Sequence, residues 1–227
     1  IKDLVSLIKE KKDVGKSHLG IGHSRWATHG APTNTNAHPH TDCTNEFAVV
    51  HNGIIENFND IREKLIKEGH KFISETDTEI IAHLIEKYYK GNLEKAVLKA
   101  VKDLKGSFAL AVMSKNQPHK LIGVRRESPL IVGIGNGENF LASDIPAILK
   151  YTKKVIYLDN GEMAVLTKDN VDIVDLKGRE RKKKINTIKW TVSSAQKSGF
   201  PHFMLKEIHE QPKVLENIIK SRIRGSS

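Results

Sequence analysis

The residues best suited to chemistry lie close together near the beginning of the chain. Arg25 carries a planar fork of N–H donors that fits a carboxylate, and Thr28 carries a hydroxyl group. Trp26 provides a flat, largely apolar cover. Asn52 directly precedes Gly53, so a side-chain amide lies beside an unobstructed backbone N–H. These residue types predict a site that holds an amino acid and stabilises an oxyanion.

Each of these residues also has an ordinary structural explanation. An Arg beside a Trp is often a surface stacking pair, and Asn-Gly is the commonest hairpin turn. Asp77 lies in Thr76-Asp77-Thr78-Glu79, which has the Thr-x-x-Glu form of a helix capping box. The helix dipole favours a carboxylate in the first turn of a helix. The residue types alone therefore leave both interpretations open.

Histidines are dense in the same region, which raises the question of a metal. His38-Pro39-His40, with Asp42 and Cys43 nearby, offers ligand atoms for zinc. No Cys-x-x-Cys or His-Glu-x-x-His spacing accompanies them, so we expect no metal. Cys43 is the single cysteine, and the carboxylates flanking it disfavour the thiolate that a nucleophile requires. We therefore expect Cys43 to be an ordinary loop or packing thiol.

Composition limits the class of protein. The 227 residues are 38% hydrophobic, which suits one domain with a sizeable core. No apolar run approaches the roughly 18 residues that cross a bilayer, so we expect no membrane partner. The net charge is +10, but it is dispersed, and its densest run at 179–184 has no interleaved aromatic residues. We interpret that run as a solvated edge and expect no nucleic acid, although a basic nucleic-acid binder remains an alternative.

Hydrophobic periodicity predicts the elements that position these residues. Helices are expected over residues 1–12, 57–68, 76–91, 93–104 and 203–220, the last interrupted by Pro212. Short strands are expected over 19–26, 47–51, 108–113, 120–125, 130–134, 139–142, 155–158, 162–166, 171–174 and 185–190. Successive strands with few intervening helices indicate antiparallel sheets with helices as outer layers, which is an α+β layered sandwich.

The order and spacing of the motifs resemble the class II glutamine amidotransferase (glutaminase) domain of the glutamine:fructose-6-phosphate aminotransferase family. The resemblance covers nearly the whole chain. It rests on Arg25–Gly30, Asn52–Asn57, Ser74–Glu79, Gly137–Asp144 and Lys206–Pro212.

The resemblance implies a fold and a domain boundary. The fold is the four-layer αββα sandwich of the N-terminal nucleophile hydrolases. Residues 1–212 would form the amidotransferase domain, and 213–227 would end the last helix and lead toward sugar-isomerase domains. The family's nucleophile is an N-terminal cysteine, whereas this chain begins with Ile1. We therefore expect a domain that lacks its first strand and its nucleophile and is inactive by itself.

The resemblance also assigns roles to individual residues. Arg25 would bind the α-carboxylate of glutamine, and Asp77 would bind its α-amino group. Asn52 and Gly53 would form the oxyanion hole. The loop that closes over glutamine would contain Trp26, Thr28 and His29. His38 would line the pocket.

The implied reaction is glutamine hydrolysis, with the ammonia passed to fructose 6-phosphate in the isomerase domains to give glucosamine 6-phosphate. No cofactor is implied. The full-length protein is expected to be a homodimer, and a single cysteine suits a reducing cytoplasm. Two alternatives stay open, namely another class II enzyme such as amidophosphoribosyltransferase, and a fragment that binds glutamine or glutamate without hydrolysing it.

Overall fold

The computed structural model describes residues 17–25, 30–189 and 200–222, which form two antiparallel sheets and four helices. The helices are α1 (Phe58–Lys67), α2 (Glu79–Tyr88), α3 (Leu93–Asp103) and α4 (Phe203–Arg222). The strands are β1 (His40–Thr41), β2 (Phe47–Ile55), β3 (Gly106–Ser114), β4 (Leu121–Arg126), β5 (Ile131–Ile134), β6 (Asn139–Ala142), β7 (Lys154–Tyr157), β8 (Glu162–Leu166), β9 (Val171–Asp175) and β10 (Asn186–Thr187). The expected helix at 1–12 lies outside the described residues.

The first sheet has six strands in the order β1-β2-β3-β4-β8-β9, and the second has four in the order β10-β7-β5-β6. Every neighbouring pair is antiparallel. The longest ladder joins β2 and β3, from Phe47 opposite Ser114 to Ile55 opposite Gly106. This ladder holds the Asn52-Gly53 pair in the interior of a strand, so the alternative of a hairpin turn at this pair is wrong.

Alternation along the strands divides the core into two parts. On β3, Phe108 and Leu110 point toward helices α1 to α3, whereas Ala109 points toward the second sheet. Both sides are filled mainly by aliphatic residues, and the cluster on the helix side is the larger of the two. Period-two alternation places these sets on opposite faces, because successive side chains of a strand point to opposite sides.

The two sheets approach each other closely at β4. A Cβ atom added to Gly123 would lie 2.8 Å from a methyl carbon of Leu141 on the second sheet. The outer face of the second sheet packs Ile131 and Val155 against Ile148, which follows a short 3₁₀ helix at Ile145–Ala147. The order within the described residues is therefore helices, sheet, sheet and a covering 3₁₀ segment.

Most expected strands are confirmed to within a few residues, but the first is wrong. Residues 19–25 form no strand, although Leu19 and Ile21 pack against the core between the sheets. Gly20 and Gly22 alternate with them and offer no side chains for cross-strand pairing. Trp26, at the end of this expected strand, lies outside the described residues. Of the strand expected at 185–190, the described residues 185–189 form strand only at Asn186–Thr187, and residue 190 lies outside the described part of the chain.

The capping box predicted at Thr76 is also wrong. Helix α2 begins at Glu79, after Thr78 as its N-cap, rather than at Thr76. The Glu79 carboxylate accepts hydrogen bonds from the backbone N–H groups of Ile73 at 2.8 Å and Ser74 at 2.7 Å. Glu79 therefore anchors the segment before the helix instead of capping its first turn.

Pro212 predicts either a kink or a restart of the last helix, and because helix α4 is continuous across Pro212, the restart does not occur. Among the described side chains of this helix, Lys206 is buried and the others are exposed. Among the described helices, none combines the length and apolar character needed to cross a membrane.

Candidate active site

A cavity of about 1220 Å³ brings together most of the predicted site residues. Its walls come from the segment 18–25, strands β2 and β3, the residues before α2, and the segment 137–143. Five of the predicted residues line it, namely Arg25, His38, Asn52, Gly53 and Asp77. The other three, Trp26, Thr28 and His29, lie outside the described residues.

Asp77 is held rigidly at the edge of this cavity. The residue is 5% exposed, and its Oδ2 accepts a hydrogen bond from the backbone N–H of Ile55 at 2.8 Å. The Thr78 hydroxyl lies 3.4 Å from Oδ1, and His51 Nδ1 lies 4.0 Å from Oδ2. Because Ile55 is two residues beyond Gly53 on β2, these contacts fix the carboxylate beside the Asn52-Gly53 pair.

Arg25 is joined to the loop that follows it. Its Nη2 donates to the carbonyl of Gly30 at 2.9 Å, and its Nη1 donates to that of Ala31 at 3.2 Å. The buried Asn36 donates to the same Ala31 carbonyl at 3.0 Å, and its Oδ1 accepts from the Glu75 N–H at 2.9 Å. Asn36 thus connects the segments that carry Arg25 and Asp77.

The Asn52 side chain has a defined orientation. Its Oδ1 lies 2.7 Å from His23 Nε2, and because an amide oxygen can only accept, His23 is the donor. This contact leaves the two protons of Asn52 Nδ2 for another acceptor. The amide can therefore donate to a group in the cavity.

Gly53 occupies a position that no other residue fits. Its φ is 129°, a region that L side chains rarely adopt. A Cβ atom there would lie 2.1 Å from the Ser107 carbonyl oxygen on the neighbouring strand. The close pairing of β2 with β3 thus requires glycine here.

A group of histidines lines one wall of the cavity. The His38 ring lies 4.3 Å from that of His23 and 5.0 Å from that of His40, measured between centroids. Burial, followed by repulsion from His23 and His40, lowers the pKa of His38 to about 3. Burial also lowers the pKa of His40, whose Nε2 lies 3.0 Å from the Thr76 hydroxyl. His38 is therefore neutral near pH 7.

Cys43 does not line this cavity. Its sulfur lies 3.6 Å from His83 Nδ1 and 3.8 Å from His70 Nδ1. Asp42 accepts a hydrogen bond from the Phe47 N–H at 2.7 Å. The zinc set considered from the sequence, with His38 and His40 beside Cys43, is therefore not the set that the fold brings around the thiol.

A family model described as a glutamine amidotransferase domain matches residues 23–150, which is more than half of the chain. The chain belongs to this family, as its motifs predicted. A glutamine–fructose-6-phosphate aminotransferase (isomerizing) from Aquifex aeolicus is 62% identical over 205 residues, covering 90% of this chain and 35% of the relative. The enzyme of that name from Thermococcus kodakarensis is 56% identical over 208 residues, covering 90% and 34%. The chain thus spans about a third of the length of the curated relatives it matches.

Solved structures of related enzymes share the fold. A glutamine phosphoribosylpyrophosphate amidotransferase from B. subtilis aligns with a TM-score of 0.56 and 25% identity, over 68% of this chain and 34% of that one. A structure described as the allosteric regulatory enzyme of purine biosynthesis aligns with a TM-score of 0.58 and the same identity and coverage. The expected α+β fold of the N-terminal nucleophile hydrolase type is confirmed.

Sequence reasoning did not single out His23 or Asn36, which contact the predicted residues directly. Both lie inside motifs that drew attention for other reasons, His23 two residues before Arg25 and Asn36 two residues before His38. Polar residues that hold a binding residue in place produce no periodic pattern in the sequence. Their contacts become visible only when segments 29 and 39 residues apart in the chain meet.

Proposed function

We propose that this chain is the glutamine-hydrolysing domain of an enzyme that converts fructose 6-phosphate to glucosamine 6-phosphate. The observation that carries the proposal is that Arg25, Asp77, Asn52 and Gly53 all line one cavity. The names of the relatives supply the acceptor.

In this proposal Arg25 and Asp77 bind the two charged groups on the α-carbon of glutamine. The Arg25 guanidinium binds the α-carboxylate, and the Asp77 carboxylate binds the α-ammonium group. A site that requires both charges discriminates strongly against ligands that lack either, because a buried charge would be left unpaired. His38 forms a neutral part of the wall, and Trp26, Thr28 and His29 belong to a loop that closes over the ligand.

The proposed reaction is nucleophilic acyl transfer. A thiolate attacks the side-chain amide carbon of glutamine, and the resulting oxyanion accepts hydrogen bonds from Asn52 Nδ2 and the Gly53 N–H. The C–N bond then breaks, and ammonia leaves with the proton it has taken up. Water hydrolyses the γ-glutamyl thioester, which releases glutamate and restores the thiol. No metal or organic cofactor takes part.

The nucleophile in this proposal comes from outside the 227 residues. Their one cysteine, Cys43, does not line the cavity. The domain of residues 1–212 would supply the binding groups and the oxyanion hole, and residues 213–227 would lead to the acceptor domains. We further propose a cytoplasmic homodimer for the intact protein.

The alternative acceptor is phosphoribosyl pyrophosphate, because the solved structures that share the fold include a glutamine phosphoribosylpyrophosphate amidotransferase. The chain is 25% identical to that enzyme and 62% identical to the glutamine–fructose-6-phosphate aminotransferase from Aquifex aeolicus. The higher identity favours fructose 6-phosphate as the acceptor. The test is to measure glutamate production by the intact protein with fructose 6-phosphate or with phosphoribosyl pyrophosphate. Stimulation by the first compound alone is expected, and stimulation by the second alone would contradict the proposal.

The 227-residue chain allows a complementary test of the site. We expect it to bind glutamate in a calorimetric titration and to release no ammonia from glutamine. Ammonia release by this species would place the nucleophile within the chain and would contradict the mechanism.

A further inference from the structure

Away from the cavity, four side chains with metal-binding atoms converge. Their ligand atoms all lie within 4.8 Å of one another, and the four residues are Cys43, His70, His83 and Glu86. They come from the loop between β1 and β2, the segment after α1, and one face of α2. We propose that these four residues bind a zinc ion.

The distances between the ligand atoms suit a tetrahedral site. The Cys43 sulfur lies 3.6 Å from His83 Nδ1 and 3.8 Å from His70 Nδ1. Glu86 Oε2 lies 2.9 Å from His70 Nδ1 and 3.3 Å from His83 Nδ1. Bonds of the lengths usual for zinc, arranged tetrahedrally, place neighbouring ligand atoms about 3.3 to 3.6 Å apart. The four distances lie around those values, and the other two pairs of ligand atoms lie within 4.8 Å of each other. An ion at the centre would therefore draw the ligand atoms closer together.

Hydrogen bonds use only part of the contacts in this arrangement. Each imidazole Nδ1 has either one proton or one lone pair, and so it can make one good hydrogen bond. Yet Nδ1 of His70 and Nδ1 of His83 both face the Cys43 sulfur and the same Glu86 oxygen. A cation at the centre would bond to all four atoms at once.

The types of ligand select the metal. One sulfur, two imidazole nitrogens and one carboxylate oxygen form a mixed set that suits zinc, whereas calcium and magnesium prefer oxygen ligands alone. Four protein ligands leave no open coordination position, which is the pattern of a structural rather than a catalytic zinc site.

Outer contacts hold these ligands in place. The Lys71 backbone N–H donates to the Cys43 sulfur at 3.4 Å, a contact that stabilises a thiolate. His83 is 1% exposed, and its Nε2 lies 3.6 Å from Glu79 Oε1. This separation is too long for a hydrogen bond, so the contact is electrostatic only. Glu79 is itself held by the backbone of Ile73 and Ser74.

The site would tie the β1–β2 loop to helix α2. Asp77 lies two residues before α2 begins, so a metal bound to this helix would also stabilise the anchoring of one wall of the cavity. The inference does not depend on the proposed reaction, because it rests on the four ligands and their distances. It replaces the expectation from the sequence that the chain holds no metal.

Metal analysis of the intact protein tests the site. We expect a zinc content that falls by about one ion per chain in Cys43→Ser and in His70→Gln, while the control His202→Gln keeps the wild-type content. His202 is an exposed histidine outside the cluster. Replacement of zinc by cobalt should give a thiolate-to-cobalt charge-transfer band that Cys43→Ser abolishes. Wild-type zinc content in both ligand variants would overturn the proposal.

A measurement on the unaltered protein covers the case in which a variant fails to fold. We expect added zinc to slow the alkylation of Cys43, followed in its own peptide by mass spectrometry, and a chelator to restore the rate. Equal alkylation of Cys43 with zinc and with chelator would overturn the proposal, because a sulfur bonded to zinc is a much weaker nucleophile.

Discussion

At the scale of single residues, the Asp77 carboxylate has two separable properties. It accepts a hydrogen bond from the Ile55 N–H, which fixes the chain, and it carries the negative charge assigned to ligand binding. Asp77→Asn keeps an acceptor oxygen for Ile55 and removes the charge. We expect the KM for glutamine to rise about ten- to hundredfold, because hydrogen bonds to charged groups contribute about 1.5–3 kcal/mol.

The matched control for this change is Asp60→Asn, which neutralises an exposed carboxylate on α1. Steady-state kinetics of the intact protein should show an unchanged KM in the control. A wild-type KM in the Asp77→Asn enzyme would contradict the proposed role of the Asp77 charge in binding glutamine.

The Asn52 amide is proposed to donate a hydrogen bond to the oxyanion that forms during the reaction, and not to bound glutamine before the reaction. Asn52→Ala should therefore lower kcat by about a hundredfold or more, with little change in KM. Ile54→Ala is the control, because Ile54 is exposed on the same face of β2. If the kcat of the two variants were equal, the Asn52 amide would have no role in stabilising the oxyanion.

His38 should make the stability of the fold sensitive to acid. Its pKa is about 3 in the folded protein, against an ordinary value of 6.5, mainly because it is buried. As the pH falls, the unfolded chain takes up this proton first, so stability is full above about pH 6.5 and is lost toward about pH 3. We expect His38→Gln to flatten the pH dependence of the free energy of unfolding in this window, measured with a chemical denaturant.

His202→Gln, at an exposed histidine, should leave that dependence as in the wild type. An equally steep decline in the His38 variant would show that other groups account for it. His40, whose pKa is also lowered by burial, is expected to preserve part of the decline.

At the scale of elements, the packing of the two sheets depends on the absence of a side chain at Gly123. A methyl group there would lie within 3 Å of both terminal carbons of Leu141. Gly123→Ala should destabilise the fold by about 1–3 kcal/mol, the usual cost of overpacking a core, with thermal or denaturant unfolding as the measurement. Gly20→Ala is the control, because nothing lies within 4 Å of its added Cβ. Equal stability of the two variants would contradict the close approach of the sheets.

The elements themselves were predictable where periodicity and boundaries agree. β6 and β8 match the predicted bounds, α1 differs from them by one residue at each end, and α3 differs by one residue at its C-terminal end. The failures at residues 19–25 and at Thr76 have a common cause. In both places tertiary contacts determine the backbone, through the packing of Leu19 and Ile21 and through the anchoring of residues 73–74 by Glu79.

At the scale of the whole molecule, the positive charge is partly compensated where it is densest. Arg179 and Arg181 both contact Asp175, and Lys183 lies 2.6 Å from Asp159 and 2.9 Å from Glu162. These contacts attach the basic run to β8 and β9 and their connecting turns. They favour the interpretation as a solvated edge over that of a nucleic-acid surface.

The chain reveals its family through motifs that are contiguous in sequence, and the residues that line the cavity were largely predictable for that reason. The remaining contacts join distant positions. Cys43 and His83 are 40 residues apart, and Asn36 and Glu75 are 39 apart. Neither pair has a spacing that a local pattern could detect, so the metal cluster and the tie between the two binding segments required the fold.

The most direct test of the account is a crystal structure of the intact protein with bound glutamate. We predict that its α-ammonium group lies within hydrogen-bond distance of Asp77, its α-carboxylate lies against Arg25, and its side-chain carboxylate points toward Asn52 and Gly53. A ligand bound outside this cavity, or bound in it with its head group away from Arg25 and Asp77, would contradict the account.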